Sequence, residues 1–201
     1  MKIDFSFYIA IILSLISGQI DIYLTYLIAL TIHECGHLII ASIFKWEIFE
    51  LKISAIGGFL TFKDDLTKPA WESFCVASGG IIFNIIFGLI LLLLDGPATL
   101  IYTQFAIAIF NLLPITPLDG SRLIQAFLRG VLDYKMVLKV IRIANIIFLI
   151  IFILTIAILG LEQYFIVAGI LAILVFKYHK MVPYLYQRYR IQNNETIDTI
   201  S

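Results

Sequence analysis

One short run of residues could do chemistry: His33-Glu34-Cys35-Gly36-His37, set inside an apolar stretch. On a helix, residues four apart lie one turn apart on the same face, so both imidazoles reach a single metal ion. Glu34 is offset by roughly 100° around the helix from His33 and so stands beside the metal without needing to bind it. That is where a carboxylate must be to take a proton from a water next to the ion. The competing reading is a pair of hydrogen-bonded core histidines with a structural Glu. In hydrocarbon that arrangement costs several kcal/mol unless a partner satisfies the ionised and polar groups. The two cysteines, Cys35 and Cys75, both sit in apolar runs and are expected to be buried packing residues.

A catalytic zinc site needs a third protein ligand and an open position for water. Charge placement, set out below, puts Asp21, Asp95 and Glu162 on the opposite side of a membrane from the His pair. His179 lies near Lys177 and Lys180 and reads as an exposed, solvated residue, and Asp64 and Asp65 belong to a polar loop. Asp119 stands out. It closes Asn111-Leu112-Leu113-Pro114-Ile115-Thr116-Pro117-Leu118-Asp119-Gly120, where two prolines break a helix. Non-helical backbone at membrane depth is tolerated where it lines a cavity. The alternative for Asp119-Gly120 is a turn or a helix N-cap.

The elements that must hold these groups follow from composition. Hydrophobic residues make up 61% of the 201 residues and charged residues 14%, with a mean hydropathy of +1.01. Soluble domains have roughly 45–50% apolar and about 25% charged residues. Fourteen Lys and Arg balance fourteen Asp and Glu, which leaves no positive field for nucleic acid. The expected fold class is an all-α polytopic membrane protein. Apolar stretches at about 5–17, 22–44, 74–94, 98–113, 143–161 and 164–176 supply six candidate transmembrane helices. If all six cross, every Lys and Arg falls on one side, with the two termini and the segments 45–73 and 114–142. The other side, at 17–21, 95–97 and 160–163, holds none. By the positive-inside rule both termini face the cytoplasm, as in a multi-pass protein of a bacterial cell membrane. The expected core spans 1–181, and 182–201 is expected to be a short cytoplasmic tail in which Tyr184, Tyr186 and Tyr189 with Arg188 and Arg190 read as an interfacial anchor, the alternative being a docking site for a cytoplasmic substrate region.

Between spans 2 and 3, apolar Phe49, Leu51, Ile53 and Ala55 alternate with Glu50, Lys52 and Ser54, the pattern of a strand with one apolar face. Gly57 and Gly58 offer a turn and residues 59–63 a return strand. The expectation is a short, membrane-associated β-hairpin; the alternative is an irregular loop.

With the His pair in one span and the Asn111–Gly120 run in a later one, the chain resembles the site-2 protease family of intramembrane zinc metalloproteases, and most closely its bacterial sporulation branch. The resemblance extends from the first span to about residue 190. It implies that His33, His37 and Asp119 bind one zinc ion, that Glu34 is the general base, and that Asn111 and Pro117 lie at the substrate cleft. The family often carries Gly-Pro-x-x-Asn in its third span. Here Gly80-Ile81-Ile82-Phe83-Asn84 keeps the Gly and Asn without the Pro, from which a packing change is expected. Gly79 and Gly80 are read as permitting close helix contact. The sporulation branch commonly carries a CBS domain and other branches a PDZ insertion; neither is expected within these 201 residues.

The implied reaction is hydrolysis of a peptide bond in a membrane-tethered protein near the cytoplasmic face, with a sigma-factor precursor as the substrate implied by the sporulation branch. An inhibitory membrane partner is compatible with the same layout. An exposed edge in 49–62, with Gly57 and Gly58 allowing close backbone approach, could capture the unwound substrate by strand addition. Two other classes compete. A metal or ion transporter would carry polar groups along several spans reaching both faces, and the outer half here has almost none. A non-catalytic, protease-like scaffold would not need the Glu34 carboxylate.

Overall fold

The computed structural model describes residues 2–54, 57–63, 65–160 and 165–192. In chain order the elements are β1 (Lys2–Ile3), α1 (Phe5–Ile16), α2 (Ile20–Ile43), β2 (Ile48–Ser54), β3 (Gly57–Phe62), α3 (Ala70–Leu93), α4 (Ala98–Asn111), α5 (Asp119–Arg129), α6 (Tyr134–Ile158) and α7 (Phe165–Gln192). Among the described residues, α2, α3 and α6 are long and apolar enough to cross a membrane. At 1.5 Å per residue their 24 or 25 residues extend about 36 Å, more than the roughly 30 Å of a hydrocarbon core. α1 and α4 are shorter apolar helices.

The helix boundaries have local causes. Asp4 caps α1 by accepting from the Ser6 N–H at 3.0 Å, and Gly18, at φ +68°, lets the chain leave that helix. Pro69 and Pro97 each stand just before a helix, where the missing N–H costs nothing.

The chain divides into two units. One comprises Met1–Asp65 with Cys75–Asn111, the other Leu66–Phe74 with Leu112–Ser201. In the first unit α2 and α3 meet through glycine: a Cβ on Gly36 would collide with the Gly79 backbone, and one on Gly79 with that of Gly36. Only paired glycines allow helices to approach this closely. Ala41, Trp46, Leu60, Phe62 and Val76 form a core beside this crossing.

The hairpin is present, with two corrections. Ser54 pairs with Gly57 and Ile53 with Gly58, so the two glycines open the return strand rather than making the turn. Ala55 and the turn position fall outside the described residues. The sheet also has a third strand, β1, which pairs parallel with β2 to give the order β1-β2-β3. Lys2 reinforces this edge with an ion pair to Glu50 at 2.7 Å. β1 was not readable because two residues show no alternation.

In the second unit, α5 is an additional short amphipathic helix. The expected polar tail beyond residue 181 is also corrected, because α7 runs on to Gln192 with Pro183 inside it. Tyr178, Val182, Leu185, Tyr186 and Tyr189 recur at helical spacing and pack against Tyr134, Val137, Leu138 and Ile141 of α6. Tyr189 stacks on Tyr134 with ring centroids 4.3 Å apart. Burial of this stripe offsets the hydrogen bond that the proline forfeits. Tyr186 and Tyr189 are thus parts of a core, and of the expected interfacial tyrosines Tyr184 is the exposed one.

Candidate metal centre

His33 and His37 project from α2 in the first unit and are 3% and 4% exposed. Their spacing brings the Nε2 atoms to 3.1 Å, with ring planes at 85°. The opposite nitrogens fix the tautomers. His37 Nδ1 lies 2.7 Å from the carbonyl oxygen of Val76. A carbonyl only accepts, so Nδ1 carries the proton. His33 Nδ1 lies 2.7 Å from Asn84 Oδ1. The Asn84 amide is itself oriented, because its Nδ2 donates to the Ala29 carbonyl at 2.9 Å and to Gln104 Oε1. Oδ1 therefore faces His33 and accepts.

As neutral imidazoles, both rings direct an Nε2 lone pair toward the same small volume. Two such lone pairs at 3.1 Å repel unless a cation or a proton lies with them. Nitrogens about 2.0–2.1 Å from a tetrahedral zinc ion stand roughly 3.3 Å from each other. The imidazole pair therefore fits zinc, with the backing acceptors that metal-ligating histidines require.

Gly80 makes the space. A Cβ there would lie 2.5 Å from His37 Nε2 and 2.6 and 2.7 Å from His33 Cε1 and Nε2. The expectation that both Gly79 and Gly80 serve helix contact holds for Gly79; Gly80 instead leaves room for the rings. Glu34 is half-buried on the next position of the same helix. Cys35 is exposed, which corrects its reading as a buried packing residue: an apolar run surrounded by lipid need not turn every side chain inward. Cys75 is only partly buried.

In the second unit, Asp119 is 5% exposed. Leu118 is the N-cap of α5 and Asp119 its first residue, so the helix dipole favours its negative charge. The preceding loop is held in three ways. Asn145, fully buried on α6, accepts from the Thr116 N–H at 3.1 Å and donates to Thr116 Oγ1 at 3.0 Å. Ile115, also fully buried, packs with Leu171 and Val175. Gly120 sits where a Cβ would collide with the backbone of Leu112 and Leu113. Pro117 lies in this loop after a cis peptide bond.

Asn111 ends α4, its Nδ2 donating to the Ile107 carbonyl at 3.0 Å. His179 is exposed on α7. Sequence reasoning missed the parts played by Gly80, Asn84, Gln104 and Asn145. For Asn84 the Gly-x-x-x-Asn spacing was a signal. For Gln104 and Asn145 the signal was an amide within an apolar run, which marks a polar contact without naming the partner.

Residues 22–96, which contain His33, Glu34, His37, Gly80 and Asn84, match the model of peptidase family M50. The chain is 29% identical over 120 residues to Stage IV sporulation protein FB of Bacillus subtilis, covering 56% of this chain and 42% of that protein. It therefore spans about two fifths of the length of that curated relative. Among solved structures it resembles the site-2 protease from Methanocaldococcus jannaschii, with a TM-score of 0.65 and 18% identity, over 99% of this chain and 92% of that one. The fold is that of a site-2 protease.

Proposed function

From the M50 segment and the imidazole pair it contains, we propose that this chain is an intramembrane zinc metalloprotease. His33, His37 and Asp119 hold one zinc ion, and Glu34 is the general base. The observation that carries the reading is the tautomer-locked pair of Nε2 acceptors 3.1 Å apart, on a helix long enough to span a bilayer. Zinc, when bound there, supplies Lewis acidity to the scissile carbonyl and to water.

The residues of the chain do the rest. The Asn84 and Val76 oxygens keep each Nδ1 protonated, so each Nε2 stays a ligand. Glu34 accepts the proton of the attacking water and returns it to the leaving amine. The backbone of 112–118, pinned by Asn145, presents Asp119 and places Pro117 beside the substrate. Asn111 contributes to the same cleft through its amide.

Segregation of all fourteen Lys and Arg to alternate segments supports six spans, both termini cytoplasmic, and a place in the bacterial cell membrane. The substrate is a membrane-tethered protein cut near the cytoplasmic face. Similarity to a protein named for stage IV of sporulation supports a sigma-factor precursor. Glu34→Gln is the decisive test. Cleavage of a co-expressed tethered precursor should fall about 10²–10⁴-fold while the purified variant retains zinc. Cleavage by the variant at the wild-type rate would remove Glu34 as the general base, whereas a wild type that cleaves nothing, with a function unchanged in Glu34→Gln, would favour transport or scaffolding.

Substrate capture by strand addition is part of the same reading. β1 covers one edge of the sheet, and in the order β1-β2-β3 the other edge belongs to β3. An unwound substrate segment can extend the sheet there, with Gly57 and Gly58 allowing close approach. Proline placed at alternate positions along β3 should slow cleavage at one parity, where N–H groups point outward. Equal rates at both parities would refute capture at this edge.

A further inference from the structure

We infer that Gln104 is a positioning residue for the metal ligand His33, acting through Asn84. This rests on the metalloprotease reading and adds a residue to it. Gln104 lies on α4, two helices later in the chain than the His pair, and is 0% exposed, as is Asn84. The chain of contacts runs from the His33 ring to Asn84 Oδ1 and from Asn84 Nδ2 to Gln104 Oε1. A primary amide has two N–H hydrogens. On Asn84 the Ala29 carbonyl takes one and Gln104 Oε1 the other. With both occupied, the amide cannot turn, and Oδ1 is held against His33 Nδ1. That in turn keeps the imidazole in the tautomer whose Nε2 is a ligand.

Packing alone does not explain a glutamine here. Its Nε2 is buried without a hydrogen-bond partner among the described residues, an unfavourable arrangement that leucine or methionine of similar size would avoid. What the amide supplies and those residues cannot is the acceptor for Asn84. A glutamate at this position would keep that acceptor, because its protonated form retains a carbonyl oxygen.

The test measures metal binding by the purified full-length chain in detergent, using cobalt and zinc with a competing chelator, together with the visible absorption of bound cobalt. Gln104→Leu and Gln104→Met should each weaken affinity about 10-fold, at the lower end for residues that orient metal ligands, and alter the cobalt spectrum. Gln104→Glu should recover wild-type affinity and spectrum. Wild-type values in whichever of the two apolar variants folds would overturn the inference, even if that variant melts earlier. Cobalt and zinc binding by the wild type separates this outcome from failure of the metalloprotease reading, in which no variant and no wild-type chain takes up either ion.

Discussion

The two parts of the proposed centre are built by opposite strategies. The His pair stands on an unbroken helix, and its geometry is set by hydrogen-bond partners and space on the packed helices: the amides of Asn84 and Gln104 and the Val76 backbone carbonyl orient the rings, and Gly80 vacates the space they occupy. Asp119 follows a stretch of non-helical backbone whose course is set by a distant amide, Asn145, and by buried Ile115. The first part is rigid because a helix satisfies its own backbone. The second has backbone groups that the helix ladder no longer satisfies, so neighbouring elements must do so. Perturbing the first should therefore change ligand chemistry, and perturbing the second should change local order.

The largest effect is expected at Gly80. In Gly80→Ala the new methyl group overlaps both rings, and in a close-packed crossing the rings have little room to yield. Metal affinity should fall by at least about 100-fold, read by chelator competition, with helix content by circular dichroism unchanged. Wild-type affinity would show that the rings are not confined as described.

Asn84→Ala comes next. Losing the acceptor for His33 Nδ1 should cost about 10–100-fold in affinity, and 112–118 should keep its wild-type hydrogen-exchange protection. Asn145→Ala should behave in the reverse manner. It strands the Thr116 N–H, a loss of about 1–3 kcal/mol, seen as faster amide exchange in 112–118, with affinity falling less than in Asn84→Ala. Equal effects of the two variants on both measurements would erase the distinction between the parts.

How much of this was legible beforehand depended on how local each feature is. The spacing of His33 and His37 follows from 3.6 residues per turn, so their convergence could be read without any tertiary information. The prolines at 114 and 117 announced broken backbone before Asp119. The strand alternation of 49–54 was equally local. The turn assignment to Gly57 and Gly58 went wrong because register is set by pairing, and pairing is not local. The continuation of α7 past Pro183 was missed for a similar reason. A proline and several charges argue for a helix end, and only the tyrosine stripe meeting α6 outweighs them.

Sequence by itself determined which groups could bind a metal and which stretches could lie in hydrocarbon, since both depend on residue type and spacing along one chain. Only the tertiary structure decided the tautomers of the two imidazoles, the purpose of Gly80 and the duties of Asn84, Gln104 and Asn145. A buried amide can satisfy many partners, and the packing of other helices selects the one it meets.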